Sequence, residues 1–192
     1  MKKSLVMASL VVASTSIMAM DLQYFLGAGV ERGDMNGKYS LNVSNGYSEN
    51  DSISDDASDL KLKLGMILNK THRISLSHIN YGIDDGGDFR IILGNYDYLI
   101  PVNENFRFLA GLHLGHANYE TDDDFKMSGL AYGAQVGAVY DITKNIEFEL
   151  GLAFTKYNVD KSTNGTILDL DYTEKVELED STSMFAGINY KF

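Results

Sequence analysis

The chain has 192 residues with a formal net charge of −11, no cysteine, one proline and 18 glycines. The absence of cysteine excludes a disulfide framework and any thiolate metal site. The acidic balance excludes a general nucleic-acid surface, which requires a basic patch. The mean hydropathy of −0.15 is typical of a soluble protein, so any membrane segment must mix apolar with polar residues.

The first 19 residues have the pattern of a secretory signal peptide. Lys2 and Lys3 form a positive n-region, residues 5–13 are apolar, and small residues precede a predicted cleavage after Ala19. The apolar run is too short to span a bilayer as a helix, which disfavours the alternative of an N-terminal membrane anchor. Residues 20–192 are then predicted to form one domain.

Apolar residues alternate with polar or small ones along most of the mature chain, a period that indicates strands. The clearest case is Leu60, Leu62, Leu64, Met66 and Leu68. The phase slips near His78, where we expect a bulge, and the fourth segment is ambiguous before Gly94. The eight predicted strands cover residues 22–31, 60–69, 74–83, 89–100, 106–114, 130–140, 146–154 and 177–192.

The predicted connections alternate between long and short. Residues 33–57, 84–88, 120–128 and 160–176 are predicted as long loops, and residues 70–72, 101–105 and 143–145 as short turns. Short periplasmic turns that alternate with longer external loops are typical of bacterial outer-membrane β-barrels. The sequence therefore predicts an all-β fold, an eight-stranded antiparallel up-and-down transmembrane β-barrel with both termini on the short-turn side.

Aromatic residues collect near the predicted periplasmic ends of the strands. Because the chain has no tryptophan, tyrosine and phenylalanine must form the interfacial belt, where amphipathic rings prefer the headgroup level. The alternative is the core of an ordinary β-sandwich, which also uses alternating aromatic residues. The predicted aromatic girdle comprises Tyr96, Tyr98, Phe106, Tyr140, Phe148, Tyr190 and Phe192.

The other face of the strands carries charges of both signs, and an eight-stranded barrel has an interior that side chains fill. Buried charges must pair, and we expect Asp97 to face Arg107, Lys191 to face Glu147, and Glu31 to meet Lys61 or Lys63. The network is interpreted as a structural plug, with an ion path opened by rearranged pairs as the alternative. Its predicted members are Glu31, Lys61, Lys63, Asp97, Arg107, Glu147, Glu149 and Lys191.

No catalytic or metal site is predicted. The acidic loops lack the calcium-loop pattern with its glycine and closing glutamate, and we expect no metal and no cofactor. A hydrolase or acyltransferase needs histidine near a serine and a carboxylate. Ser75 and Ser77 beside His78 are the only close approach in the sequence, and we interpret that proximity as coincidental.

The signal peptide, the eight alternating strands, the loop pattern and the ending Tyr190-Lys191-Phe192 together resemble the OmpA/OmpX-like small outer-membrane β-barrels. The resemblance covers the mature chain and carries no catalytic motif. It implies location in the bacterial outer membrane. It also implies that Tyr190 and Phe192 are the aromatic positions of a C-terminal strand that the barrel-assembly machinery reads. A structural, surface-interaction or adhesion role follows from it, sometimes with weak pore activity.

The leading hypothesis is a non-enzymatic barrel that supports membrane integrity or makes surface interactions through acidic extracellular loops. The alternative is a small porin-like channel that passes ions or small solutes through a charged lumen. A lipid-modifying enzyme and a soluble barrel that binds apolar ligands are further alternatives. The expected partners are outer-membrane lipid, the assembly machinery and a surface ligand, without nucleic acid, and the expected state is a monomer.

Overall fold

The structure, a computed structural model, describes residues 21–83, 87–121, 126–167 and 170–192. The predicted signal peptide and cleavage site lie outside these residues, as do six of the predicted loop acids: Asp84, Asp85, Asp122, Asp123, Asp124 and Asp169. In the described part of the chain, no helix has the length and apolar character needed to cross a membrane.

Eight strands account for almost all of the described residues. They are β1 (Leu22–Val43), β2 (Ser48–Leu68), β3 (His72–Ile83), β4 (Gly87–Pro101), β5 (Phe106–Thr121), β6 (Lys126–Asp141), β7 (Ile146–Ile167) and β8 (Leu170–Lys191).

Each strand pairs antiparallel with the next, and β1 pairs with β8 to close the barrel. The closing seam aligns Leu26 with Tyr190 and Val30 with Ala186. The predicted eight-stranded antiparallel up-and-down barrel is therefore confirmed. Both termini and the three short turns lie at one end, called here the proximal end, and the opposite end is the distal end.

The strand alternation places large apolar side chains on the outside of the barrel. Leu64, Leu114 and Leu152 are each at least half exposed, while their neighbours along the strands point inward and are buried. Outward apolar residues on all eight strands form a continuous apolar belt. Its members include Leu26, Val30, Leu60, Ile74, Leu76, Ile92, Phe108, Leu112, Leu130, Val136, Leu150, Phe154, Met184 and Ile188.

Two of the predicted long loops are wrong, because most of their residues continue the strands. Between β1 and β2 only residues 44–47 form the turn, where Gly46 has a φ of 90° and donates its N–H to the carbonyl of Val43 at 3.0 Å. Between β7 and β8 only residues 168–169 separate the strands. These segments are polar, but they keep the alternation of a strand, with Tyr39 and Leu41 on one face and Lys38 and Ser40 on the other.

The extra length produces a four-stranded sheet that rises beyond the barrel at the distal end. It lies outside the closed wall because β3 pairs with β2 only from Lys61 and β6 pairs with β7 only from Asn158. Register shifts next to Asn36 and Lys156 mark its base, as β-bulges often do at barrel rims. This projecting sheet comprises residues 48–59 of β2, 36–43 of β1, 170–180 of β8 and 159–167 of β7.

The bulge predicted near His78 is wrong, because the register of β3 is continuous on both sides of this residue. What changes there is the lining of the lumen. Ser75 and Ser77 face a polar interior, whereas Ile79 and Tyr81 enter an apolar one. This apolar cap consists of Met35, Ala57, Ile79, Tyr81, Phe89, Ile91, Leu93, Ala117, Ala131, Tyr157 and Val159. The cap also explains the ambiguity before Gly94, where the outward Ile92 lies between the inward Ile91 and Leu93 and makes three consecutive residues apolar.

Phe89 is the central ring of the apolar cap, and its replacement by alanine should destabilise the barrel. The ring lies 6.2 Å from that of Tyr81 and 5.7 Å from that of Tyr157. Because the surrounding wall resists collapse, we expect Phe89→Ala to lower the free energy of unfolding by about 3–5 kcal/mol. Urea unfolding in detergent, followed by unboiled gel migration, measures the change. Ile92→Ala, on the outward face of the same strand, is the control, and an equal loss in both variants would contradict a special role for the cap.

Candidate functional site

The lumen brings together all eight of the charged residues predicted to line it. Each is buried, with an exposed fraction that ranges from 0% for Asp97 and Glu147 to 8% for Arg107. They lie on the proximal side of the apolar cap and form two groups. The larger group surrounds Arg73, a residue that the sequence prediction did not include.

Arg73 lies at the centre of the larger group and is fully buried. Its Nε donates to Asp97 at 2.9 Å, and its Nη1 donates to Glu149 at 2.8 Å and to Glu147 at 3.3 Å. The guanidinium also lies over the ring of Phe25, 5.7 Å from its centre. One cation thus joins carboxylates from β4 and β7, strands on different sides of the barrel.

The remaining contacts continue this group toward the proximal rim. Lys63 pairs with Glu149. Arg107 donates to Glu147 at 2.9 Å and to Asp141 at 2.8 Å, and Lys191 lies 2.5 Å from the same Asp141 carboxylate. We call the four cations Lys63, Arg73, Arg107 and Lys191 and the four carboxylates Asp97, Asp141, Glu147 and Glu149 the charge network. Its charges balance, as the cost of desolvation requires.

A separate ion pair lies between the charge network and the apolar cap. Lys61 donates to Glu31 at 2.5 Å, and Ser183 donates to the second oxygen of Glu31 at 2.7 Å. The Lys61 ammonium is 4.8 Å from the centre of the Phe185 ring, which adds a cation–π contact. Of the two partners expected for Glu31, the structure selects Lys61, whereas Lys63 pairs with Glu149.

The expected pair of Asp97 with Arg107 is wrong. The turn between β4 and β5 places Arg107 opposite Pro101, and Asp97 faces Gly111 instead. Asp97 binds Arg73 and accepts a hydrogen bond from Gln135 at 2.5 Å. The prediction placed the turn centre too early, which shifts every cross-strand pair of this hairpin. The ion pair of Lys191 with Glu147 has a distance of 3.6 Å, because Asp141 is the nearer partner of Lys191.

Sequence reasoning missed several inward polar residues. Arg73, Gln135 and Asn189 are all buried, and Asn189 donates to Glu147 at 2.9 Å. A signal for Arg73 was available, since it is in phase with Ser75 and Ser77 on the inward side of β3. Gln135 and Asn189 are likewise in phase with the inward residues of their own strands.

A neutral polar layer separates the charge network from the apolar cap. Ser75, Asn95 and His113 are register neighbours on consecutive strands, and Thr155 contacts the His113 Nε2 at 3.1 Å. Asn95 donates to Ser77 at 3.1 Å. From the proximal to the distal end, the described lumen thus holds the charge network with a small apolar cluster beside it, then the neutral polar layer, then the apolar cap. The small cluster consists of Phe25, Ile67, Leu99, Leu109 and Val139.

The histidine and serine residues considered for catalysis do not meet. His78 points outward and is exposed, whereas Ser75 and Ser77 point into the lumen, so the barrel wall separates them. Within the described ranges, no group of three or more histidine or acidic residues has a geometry suited to a metal ion.

The residues of the predicted aromatic girdle lie on the outward face near the proximal end. Tyr96, Tyr98, Tyr140, Tyr190 and Phe192 are exposed, and Phe106 and Phe148 are half-buried. Tyr96 also contacts the His72 ring nitrogen at 2.8 Å. At the C-terminus, the Phe192 N–H donates to the carbonyl of Tyr24 at 3.0 Å, so the last residue belongs to the closing seam.

In the projecting sheet, an exposed ion pair and a hydrogen bond link β1 to β8. Lys38 on β1 donates to Glu179 on β8 at 2.6 Å, and Asn36 donates to Asp180 at 3.0 Å. The hydrogen bond to Glu179, together with its charge, raises the pKa of Lys38 above its usual value. These two contacts hold β1 beside the bulged part of β8.

Comparison with solved structures identifies the fold. Neisserial surface protein A is 15% identical, with a TM-score of 0.63 over 88% of this chain and 97% of that one. The outer membrane protein OprG from Pseudomonas aeruginosa is 13% identical, with a TM-score of 0.68 over 88% and 95%. Outer membrane protein H (OprH) from P. aeruginosa is 23% identical, with a TM-score of 0.54 over 87% and 99%. No protein-family model and no curated protein sequence matches the chain.

The fold and the apolar belt define the class of this protein. It has the architecture of the small outer-membrane β-barrels, and its outward face requires a lipid environment, because so large an exposed apolar surface is rare on soluble monomers. These findings support the predicted location in the bacterial outer membrane, and the orientation with the proximal end toward the periplasm stays a prediction.

Arg73 should be the residue on which the charge network depends most. In Arg73→Met, three buried carboxylates lose a shared cation, and we expect a loss of about 3–5 kcal/mol in the free energy of unfolding. Urea titration of the detergent-solubilised protein measures the loss. Lys38→Met removes a cation from an exposed pair and should leave the unfolding midpoint nearly unchanged, because surface pairs contribute little. Similar midpoints for the two variants would show that the network is not a main source of stability.

Proposed function

We propose that this protein is a non-enzymatic outer-membrane barrel that makes surface interactions through the projecting sheet. The observation that carries the proposal is the contrast between the two parts of the molecule. The described lumen holds buried charged, polar and apolar side chains, whereas four of the eight strands continue past the wall into a sheet. Because buried side chains occupy the interior, a partner cannot bind there. The projecting sheet at the distal end is the surface that remains for a partner.

The filled lumen argues against transport as the main role. The charge network ties β2, β3, β4, β5, β6, β7 and β8 together by ion pairs and hydrogen bonds, and the apolar cap closes the path above it. A porin-like channel would require the breaking of desolvated ion pairs and the displacement of Phe89 and Tyr81. Breaking a buried pair costs several kcal/mol, which makes a static plug the favoured interpretation.

The charge of the projecting sheet supports a role in surface contact. Its residues include eleven acidic side chains against three lysines. The face that continues the inward side of the barrel also carries Tyr39, Leu41 and Val43 on β1, beside Val176 and Leu178 on β8. A partner that presents basic groups together with apolar ones has the complementary chemistry.

Absence of enzymatic activity is also part of the proposal. It is supported by the separation of His78 from Ser75 and Ser77 across the barrel wall. The buried His113 has the hydroxyl of Thr155 as its neighbour, and no nucleophile activated by a histidine and a carboxylate is present among the described residues. The monomeric state stays a prediction.

If the lumen is a plug, the full-length protein should not conduct ions. We expect planar bilayers that contain the refolded protein to show no steady unitary current, and Lys61→Ala and Glu149→Ala to be equally silent. Recovery of folded protein from the bilayer lipid, judged by unboiled gel migration, controls for insertion. Steady steps whose size changes in either variant would reject the plug and favour the porin-like alternative.

If the projecting sheet is the working surface, it should bind polycations. Glu49 and Glu174 flank Leu41 from the two neighbouring strands. We expect Glu49→Gln/Glu174→Gln to weaken the binding of poly-L-lysine to the protein in zwitterionic nanodiscs by about two- to fivefold.

The matched control removes the same charge from the proximal end, in Asp21→Asn/Glu104→Gln. This variant should bind poly-L-lysine as the unaltered protein does, since the disc separates the two ends. Equal weakening in both variants would mean that net charge, and not the sheet, governs binding.

A further inference from the structure

The outward face changes from apolar to polar in the same way on all eight strands. Followed from the proximal to the distal end, each strand presents a run of outward residues that form the apolar belt. The first residue beyond that run is exposed on every strand. These residues, called the collar, are Arg32, Ser58, His78, Arg90, His116, Ser128, Lys156 and Thr182.

The composition of the collar is the reverse of that of the whole chain. The sequence has 27 acidic residues against 16 arginines and lysines, yet the collar has two arginines, one lysine, two histidines and three hydroxyl residues, without a carboxylate. Acidic side chains begin one outward position further on, at Asp34, Asp88 and Asp180. The first outward residues beyond the apolar belt therefore carry no negative charge, although lysines such as Lys38 and Lys126 lie further toward the distal end.

The best-defined part of the collar spans β3, β4 and β5. His78 and His116 lie in one register row with Ile92 between them, and Arg90 is the next outward residue after Ile92 toward the distal end. Adjacent strands are about 4.8 Å apart, so the two histidines are separated by roughly 10 Å. Three nitrogen-bearing side chains thus lie on three consecutive strands around the exposed Ile92.

The contacts of Arg90 leave room for an anion. One terminal nitrogen, Nη2, donates to Asp88 at 2.8 Å, and about half of each side chain is exposed. A guanidinium has five donors, so the others are available to a second acceptor. Arginine is well suited to phosphate because its planar fork matches two phosphate oxygens.

We propose that the collar binds the phosphate groups of lipids whose headgroups lie at the distal surface of the membrane. The position fits, because the end of the apolar belt is the level at which hydrocarbon gives way to phosphate. The chemistry fits as well, since arginine, lysine and hydroxyl groups donate hydrogen bonds to phosphate oxygens. The proximal end has aromatic residues at the corresponding level, so the two ends are built for different headgroup layers.

Lipid selectivity in reconstituted vesicles tests the collar. The full-length protein is placed in phosphatidylcholine vesicles with trace spin-labelled phosphatidic acid or spin-labelled phosphatidylcholine. The motionally restricted fraction of each spectrum gives the relative association of the two lipids. We expect the protein to prefer phosphatidic acid by on the order of fivefold, the effect of a single basic residue at a membrane surface.

Two triple variants separate the collar from net charge. Arg32→Gln/Arg90→Gln/Lys156→Gln should abolish the preference for phosphatidic acid. Lys38→Gln/Lys126→Gln/Lys175→Gln removes the same charge from residues beyond the collar and should retain the preference. Unboiled gel migration confirms that both variants are folded.

Three results would overturn the proposal: no preference in the unaltered protein, a preference that survives in the collar variant, or an equal loss in both variants. The outcome does not depend on the surface role proposed above, because neither poly-L-lysine binding nor ion conductance enters the measurement.

Discussion

Pairing of β1 with β8 is the constraint on which the rest of the structure depends. In hydrocarbon, every unpaired backbone N–H or C=O costs several kcal/mol, so a sheet within a membrane must have no free edge. The seam is tight, because a side chain on Gly29 would collide with the carbonyl of Ala186. Closure extends to the last residue, where Phe192 bonds to Tyr24. The aromatic C-terminal strand β8 is thus one of the two strands of the closing seam, and it is also the predicted assembly signal.

Closure of only eight strands dictates what the interior contains. A barrel of this size has room for side chains and little else, and inward residues must be satisfied by one another. In the charge network, four cations, including Arg73, form ion pairs with four carboxylates. In the apolar cap, aromatic side chains pack against one another. Apolar side chains also lie among the charges, since Phe25, Ile67 and Val139 are register neighbours of Lys191, Arg73 and Arg107.

Sequence patterns predicted the membrane part of the fold well, because lipid imposes an unbroken apolar face on each strand. Prediction failed where that face ends. Residues 33–57 and 160–176 were assigned to loops, since their acidic and hydroxyl residues outweigh the alternation of Tyr39, Leu41 and Val43. The pairing of Asp97 failed for another reason, namely that cross-strand neighbours depend on the turn position, which composition does not specify. Arg73 was in phase with inward residues, but only the fold shows that its neighbours are carboxylates from the adjacent strand β4 and from β7 across the barrel.

The distribution of charge along the barrel axis follows from the placement of an acidic sheet above an anionic headgroup layer. At physiological ionic strength, charges separated by less than about 8 Å are poorly screened, and the carboxylates of Asp34, Asp88 and Asp180 begin one outward position beyond the collar. Direct contact between these carboxylates and lipid phosphates would be repulsive. A collar of basic and hydroxyl residues between the two negative layers replaces that repulsion by attraction on both sides, as the Arg90–Asp88 pair illustrates. The collar thereby allows a strongly acidic sheet to stand on an anionic membrane surface.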